Sequence, residues 1–151
     1  MIADLSTAPL RRGFSFTEMD TLYNQALAWR EAFEVQSDSS KDSPQFNLQI
    51  ALIVEEYREV IEAFVEYDET DQATKEHLLK ELADLVFVCF QAAANMGWNL
   101  DKAMKSVFDS NMTKLVNGSP IRNETGKVMK GPFYSPPDLT SLIAEGEESP
   151  A

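Results

Sequence analysis

Two short carboxylate clusters, Glu55-Glu56-Tyr57-Arg58-Glu59 and Glu81-Leu82-Ala83-Asp84, constrain the chain most, because their spacings mirror each other. Both lie in sequence of helical periodicity. Counted from residue 70, Glu56 and Asp84 stand equally far away on either side, and so do Glu59 and Glu81. A helical hairpin folded there sets Glu56 opposite Asp84 and Glu59 opposite Glu81, and Asp68-Glu-Thr-Asp71 supplies turn residues. Within each helix the two acids are i, i+3 and share a face. Carboxylates converging in this way repel: unit charges about 4 Å apart interact by about 4 kcal/mol at an effective dielectric of about 20. A divalent cation removes the repulsion, and an all-oxygen set without His or Cys suits Mg²⁺ or Mn²⁺ better than zinc. A ferritin-like di-iron centre calls for Glu-x-x-His pairs, which His77, the only histidine, does not complete with either cluster.

Helical patterning continues on both sides. Ser15-Phe16-Thr17-Glu18 has capping-box spacing and opens a run through Leu22, Tyr23, Ala26, Trp29 and Phe33, predicting a first helix over about 16 to 36. Residues 37 to 43 are polar and read as a loop; Ser43-Pro44 then offers an N-cap followed by proline at the first helical position. The second helix runs from there to about 67. Phe46, Ile50, Ile53, Val54, Tyr57, Val60, Ile61, Phe64 and Val65 form its apolar face, and Glu55, Glu59, Glu62 and Glu66 another. A third helix, about 72 to 96, ends at Gly97, and from Leu82 to Leu100 Asp84 is the only charge, which predicts burial nearly all round. Asn99 caps a fourth helix of about 100 to 115. The expected fold is all-α, a four-helix antiparallel bundle with its helical core over about 16 to 115, and oligomeric because one chain does not readily cover so apolar a third helix.

Beyond Asn117-Gly118 the sequence turns rich in Gly, Pro and Asn, with a turn signal at Asn123-Glu-Thr-Gly126, so 117 to 139 reads as an irregular arm or small hairpin. Residues 1 to 139 are then one domain, and the acidic stretch 140 to 151 a disordered tail. With 151 residues, 44% of them hydrophobic, the chain has material for one core. Its net charge of −12 argues against a nucleic acid polymer as partner, because phosphate chains demand a basic footprint. Handling a phosphorylated small molecule would require cations. No apolar run reaches the ~20 residues of a membrane span, and the N-terminus lacks a secretory core. Cys89, the only cysteine, allows no internal disulfide, so a cytoplasmic setting is expected. Its apolar surroundings argue against a nucleophile.

Glu62 and Glu66 read as a solvated face, and His77 as an exposed residue near a helix start. Asp84 differs, because a lone carboxylate in an apolar helix must be neutral, paired or metal-bound. Residues 102 to 130 carry Lys102, Lys105, Lys114, Arg122, Lys127 and Lys130 against only Asp109 and Glu124, the natural place in so acidic a chain for phosphate oxygens.

Glu-Glu-x-x-Glu followed about twenty residues later by Glu-x-x-Asp is similar to the signature of the all-α nucleoside triphosphate pyrophosphohydrolases. This is the MazG-like superfamily, which includes the phosphoribosyl-ATP pyrophosphohydrolases. Ser110-Asn-Met-Thr-Lys114 and the segment Gly126 to Leu139 resemble the distal parts of short members, so the resemblance covers about 45 to 139. It implies Glu56, Glu59, Glu81 and Asp84 as Mg²⁺ ligands, with Mn²⁺ a substitute, and Glu55 as a further ligand or a base that orients water. The implied reaction takes a (d)NTP to (d)NMP and pyrophosphate, in a homodimer or homotetramer. Lys114, Lys127 and Lys130 fall in the family-like segments and are expected at phosphate, Asn111 at phosphate, sugar or base, and Tyr134 at a base. The alternatives are a phosphoribosyl-ATP pyrophosphohydrolase and a non-catalytic helical protein that binds nucleotide or a partner. The first helix fits no pattern, which leaves base preference open.

Overall fold

The computed structural model describes residues 20–147, and the chain divides into two compact units, one ending at Gly97 and the other beginning at Trp98. The first holds α1 (Leu22–Ala32), α2 (Pro44–Glu66) and α3 (Gln72–Asn95); the second holds α4 (Leu100–Met112) and α5 (Thr140–Glu147). The fold is all-α, and among the described residues extended backbone pairs only at two isolated bridges.

Several boundaries follow the local chemistry expected of them. Ser43 Oγ accepts from Phe46 N at 3.1 Å with Pro44 opening α2, and Asn99 Oδ1 accepts from Lys102 N at 3.1 Å to open α4. Gly97, at φ +75°, terminates α3. Asp68 ties the hairpin turn, its Oδ1 accepting from Thr70 N at 2.8 Å and Thr70 Oγ1 at 2.7 Å, while Asp71 caps α3.

The first helix is shorter than its periodicity predicts. The Ser15–Glu18 capping box lies outside the described residues, and α1 opens at Leu22 with Thr21 Oγ1 accepting from Asn24 N. It stops at Ala32 in a Schellman closure: Val35 N donates to Arg30 O at 2.8 Å and Glu34 N to Glu31 O at 3.1 Å, around Glu34 at φ +55°. A glutamate occupies the left-handed position usually held by glycine, so the sequence gives no stop signal.

Both α1 and α2 pack against α3. Gln91 Nε2 donates to Ala26 O and Arg30 Nη2 to Asn95 Oδ1, pairs with the same separation of 65 residues, so α1 and α3 run in the same direction with α2 opposed. Arg30 is 4% exposed and its Nη2 also donates to Gln36 O and Ser37 Oγ, both at 3.2 Å. Asn95 completes the clamp, donating to Asp38 O at 2.8 Å and accepting from Asp38 N at 3.1 Å. The α1–α2 loop is thereby fastened to the end of α3, where helix C-termini supply the negative potential a buried guanidinium needs.

The expectation that α3 is buried nearly all round is corrected. Its C-terminal half contributes Val88, Phe90, Ala93 and Ala94 to the core, but Leu79, Leu82, Val86 and Phe87 are exposed. The apolar face assigned to α2 is likewise largely exposed; of it only Val60 is buried, and the helix turns Gln49, Val60 and Ala63 inward instead.

In the second unit, Asn117 and Gly118 both have positive φ and make the tight turn that bridges Val116 and Ser119. A second bridge pairs Arg122 with Val128 around Asn123, whose Oδ1 accepts from Thr125 N and Lys127 N. The arm is a small hairpin. Ser110 Oγ donates to Ser135 O at 2.7 Å, which fastens the segment after it to α4. Helix α5 occupies 140 to 147, where the acidic composition predicted disorder; Asp138 Oδ1 accepts from Thr140 N and Leu139 O from Ile143 N, a local start that net charge does not reveal.

Candidate metal centre

The hairpin brings the two carboxylate clusters together in the predicted register. One oxygen each from Glu56, Glu81 and Asp84 lies within 4.8 Å of the others, while the carboxyls of Glu59 and Glu81 are in hydrogen-bonding contact. Glu59 is therefore beside the triad and not within it. Glu55 is exposed and acts on Glu56 and Glu59 through its charge alone.

The electrostatic cost is visible in both acids of α2. Desolvation, and then the charges of Glu59, Asp84, Glu81 and Glu55 in that order, hold Glu56 above the ordinary glutamate value of 4.5. Desolvation also raises Glu59, followed by its contact with Glu81. Glu81 is 3% exposed. Among the described residues, Glu56 Oε2 and Glu81 Oε2 are buried with no hydrogen-bond partner. Buried anionic oxygens left in this state are expensive, and they converge with Asp84. An all-oxygen donor set with unsatisfied buried atoms fits a hard divalent ion and does not fit a soft one.

Two basic side chains that sequence reading left out of the site, Lys80 and His77, touch the triad. Lys80 Nζ lies 2.7 Å from Asp84 Oδ2 and 3.0 Å from Glu81 Oε1, and His77 Nδ1 lies 3.2 Å from the same Glu81 oxygen. The contact with Asp84, and then that with Glu81, holds the Lys80 ammonium charged far above the ordinary lysine range. The available signal was the i, i+4 spacing of Lys80 to Asp84 and His77 to Glu81. Along the outer side of α2, Ala51, Val54, Glu55, Arg58, Glu59 and Glu62 line an open groove of ≈ 560 Å³. Cys89 is half-buried in α3, where burial pushes its thiol pKa up, against a nucleophilic role.

The residues expected at substrate, Asn111, Lys114, Lys127, Lys130 and Tyr134, all lie in the second unit. Of these, Lys130 and Tyr134 are in side-chain contact, the ammonium 4.5 Å from the ring centroid. Asn111 lies in the last turn of α4, its carbonyl accepting from Lys114 N, and Lys127 follows the hairpin turn. Two cations of the basic stretch are engaged within it: Lys105 pairs with Asp109 at 2.7 Å, and Arg122 donates to Gly126 O at 2.8 Å.

Comparison with known proteins gives one family: the phosphoribosyl-ATP pyrophosphohydrolase family model matches residues 31–111, a span that contains both carboxylate clusters. No curated protein matches the chain.

Proposed function

Because the chain belongs to the phosphoribosyl-ATP pyrophosphohydrolase family, we propose that Glu56, Glu59, Glu81 and Asp84 hold Mg²⁺ and that the protein hydrolyses (d)NTPs to (d)NMPs and pyrophosphate. The chain is a pyrophosphohydrolase, a hydrolase acting on acid anhydrides. The observation that carries the metal reading is the convergence of Glu56, Glu81 and Asp84 within 4.8 Å with buried oxygens left unpaired on two of them.

When bound, Mg²⁺ neutralises phosphate charge and lowers the pKa of a water at the site. The protein's own groups do the rest. Glu81, fixed in the packed side of α3, and Asp84, one turn on, form a rigid half of the cage; Glu56 closes it from α2. Glu59, touching Glu81, completes the ligand set, and Glu55 on the open groove accepts a proton from the attacking water. Hydrolysis adds that water across the α–β anhydride and releases pyrophosphate. Lys114, Lys127 and Lys130 contribute charge-assisted hydrogen bonds to phosphate oxygens, Asn111 a neutral one, and Tyr134 a face for a base.

The family match favours a second reading, in which the same anhydride is cleaved in phosphoribosyl-ATP. Exposed apolar side chains along α2 and α3, Phe64, Val65 and Leu79 among them, support a homodimer or homotetramer. The described helices include none long and apolar enough to cross a membrane. Glu59→Gln tests the cage: it removes a charged ligand with little change in volume, and turnover is expected to vanish while the helical fold persists. Full activity in that variant would show that Glu59 is not part of it.

A further inference from the structure

Lys80 is the one side chain of the hairpin that bonds two acids of the triad at once. Its Nζ donates to Glu81 Oε1 and Asp84 Oδ2, while the second oxygen of Glu81 is buried and unpaired. The lysine is itself 62% exposed, so a rotation of its flexible stem carries the ammonium into water with little loss of packing. Glu81, in contrast, is 3% exposed and has no comparable freedom. His77 shares Glu81 Oε1 but does not reach Asp84 among the described contacts, so its hold is on one acid only.

We propose that Lys80 is an internal competitor for the metal, occupying Glu81 and Asp84 as an ammonium and thereby setting the Mg²⁺ concentration at which the carboxylate cage fills. The proposal rests on the metal reading above. A divalent ion that takes Glu81 Oε1 and Asp84 Oδ2 must displace Lys80, and the free energy of those two contacts is subtracted from metal binding. Contacts to so exposed a lysine are individually weak, on the scale of a severalfold change in an equilibrium constant. Lys80 thus weakens Mg²⁺ binding without abolishing it, and protects the acids from mutual repulsion at low metal. No proton transfer and no covalent step are involved.

Titration calorimetry of the full chain with MgCl₂ alone tests this, with Lys80→Met and Lys80→Arg alongside the unaltered protein and far-UV circular dichroism confirming the fold of each. Lys80→Met, which keeps the stem and deletes the charge, is expected to bind Mg²⁺ roughly fivefold more tightly. Lys80→Arg, which keeps the charge, is expected to bind no more tightly than the unaltered protein. A merely structural lysine would give the opposite sign, since its removal would loosen the cage. Equal or weaker Mg²⁺ binding in Lys80→Met overturns the competition while leaving the cage intact; absence of Mg²⁺ binding in all three proteins overturns the cage and the competition together.

Discussion

Glu81 shows how strongly a single side chain can be coupled to its surroundings: it meets Glu59, Lys80 and His77 and lies in the triad with Glu56 and Asp84, yet keeps one buried oxygen unpaired. The strain of this crowding falls on Glu56 and Glu59, whose pKa values in the folded protein lie above the 4.5 of an ordinary glutamate. Between the ordinary and the raised values the folded protein binds more protons than the unfolded chain, so the cluster's contribution is most favourable below about 4.5 and is lost as pH rises through the raised values. Other acids oppose this trend: hydrogen bonds lower Asp38, Asp68 and Asp138, which lose stability as pH falls. A difference measurement separates the two effects. In EDTA, the thermal midpoint of the unaltered protein minus that of Glu56→Gln should fall as the pH rises above the ordinary glutamate value of 4.5, and Mg²⁺ should remove the fall. A difference independent of pH would contradict the coupling described here.

Among the elements, α3 contributes most, because it carries two of the four proposed metal ligands, Glu81 and Asp84, and also the polar clamp on the α1–α2 loop. Asn95 is 2% exposed and serves both Arg30 and the Asp38 backbone. Asn95→Ala leaves the Asp38 N–H unpaired and takes one of several partners from Arg30 and from the Asp38 carbonyl, and should cost about 1–3 kcal/mol in urea unfolding, whereas Lys41→Ala on the exposed loop should change stability by less than about 0.5 kcal/mol. A loss at Asn95 no larger than that control would mean that the clamp contributes little. The helical hairpin and its register were legible in the sequence, since two mirrored i, i+3 pairs admit few arrangements and Ser43-Pro44, Gly97 and Asn99 mark ends by known cap chemistry. The end of α1 was not legible, because Glu34 takes a backbone conformation its side chain does not advertise. Nor was the clamp, in which Arg30 meets partners 61 and 65 residues away, or Lys80, whose role emerges only when Glu81 is seen to be buried.

Across the chain as a whole, the described residues leave many large apolar side chains exposed. Val65 is 82% exposed, Leu79 69% and Tyr57 56%, and a large apolar side chain left in water forgoes about 1.5–3 kcal/mol relative to burial. The apolar side chains of α2 and α3 leave surface that one chain's described residues do not cover. Sedimentation velocity should therefore show a dimer or tetramer, shifted toward monomer by Val65→Glu; a monomer at every concentration would contradict that reading. Metal-dependent cleavage of the anhydride is tested by chromatography of the products. The protein is incubated with each common NTP and dNTP and with phosphoribosyl-ATP, with and without Mg²⁺, and Glu59→Gln serves as control. Metal-dependent formation of pyrophosphate and the matching monophosphate is expected, absent in Glu59→Gln, with the substrate panel deciding between free triphosphates and phosphoribosyl-ATP. Release of inorganic phosphate and a diphosphate, or full turnover in the absence of a divalent ion, would contradict it.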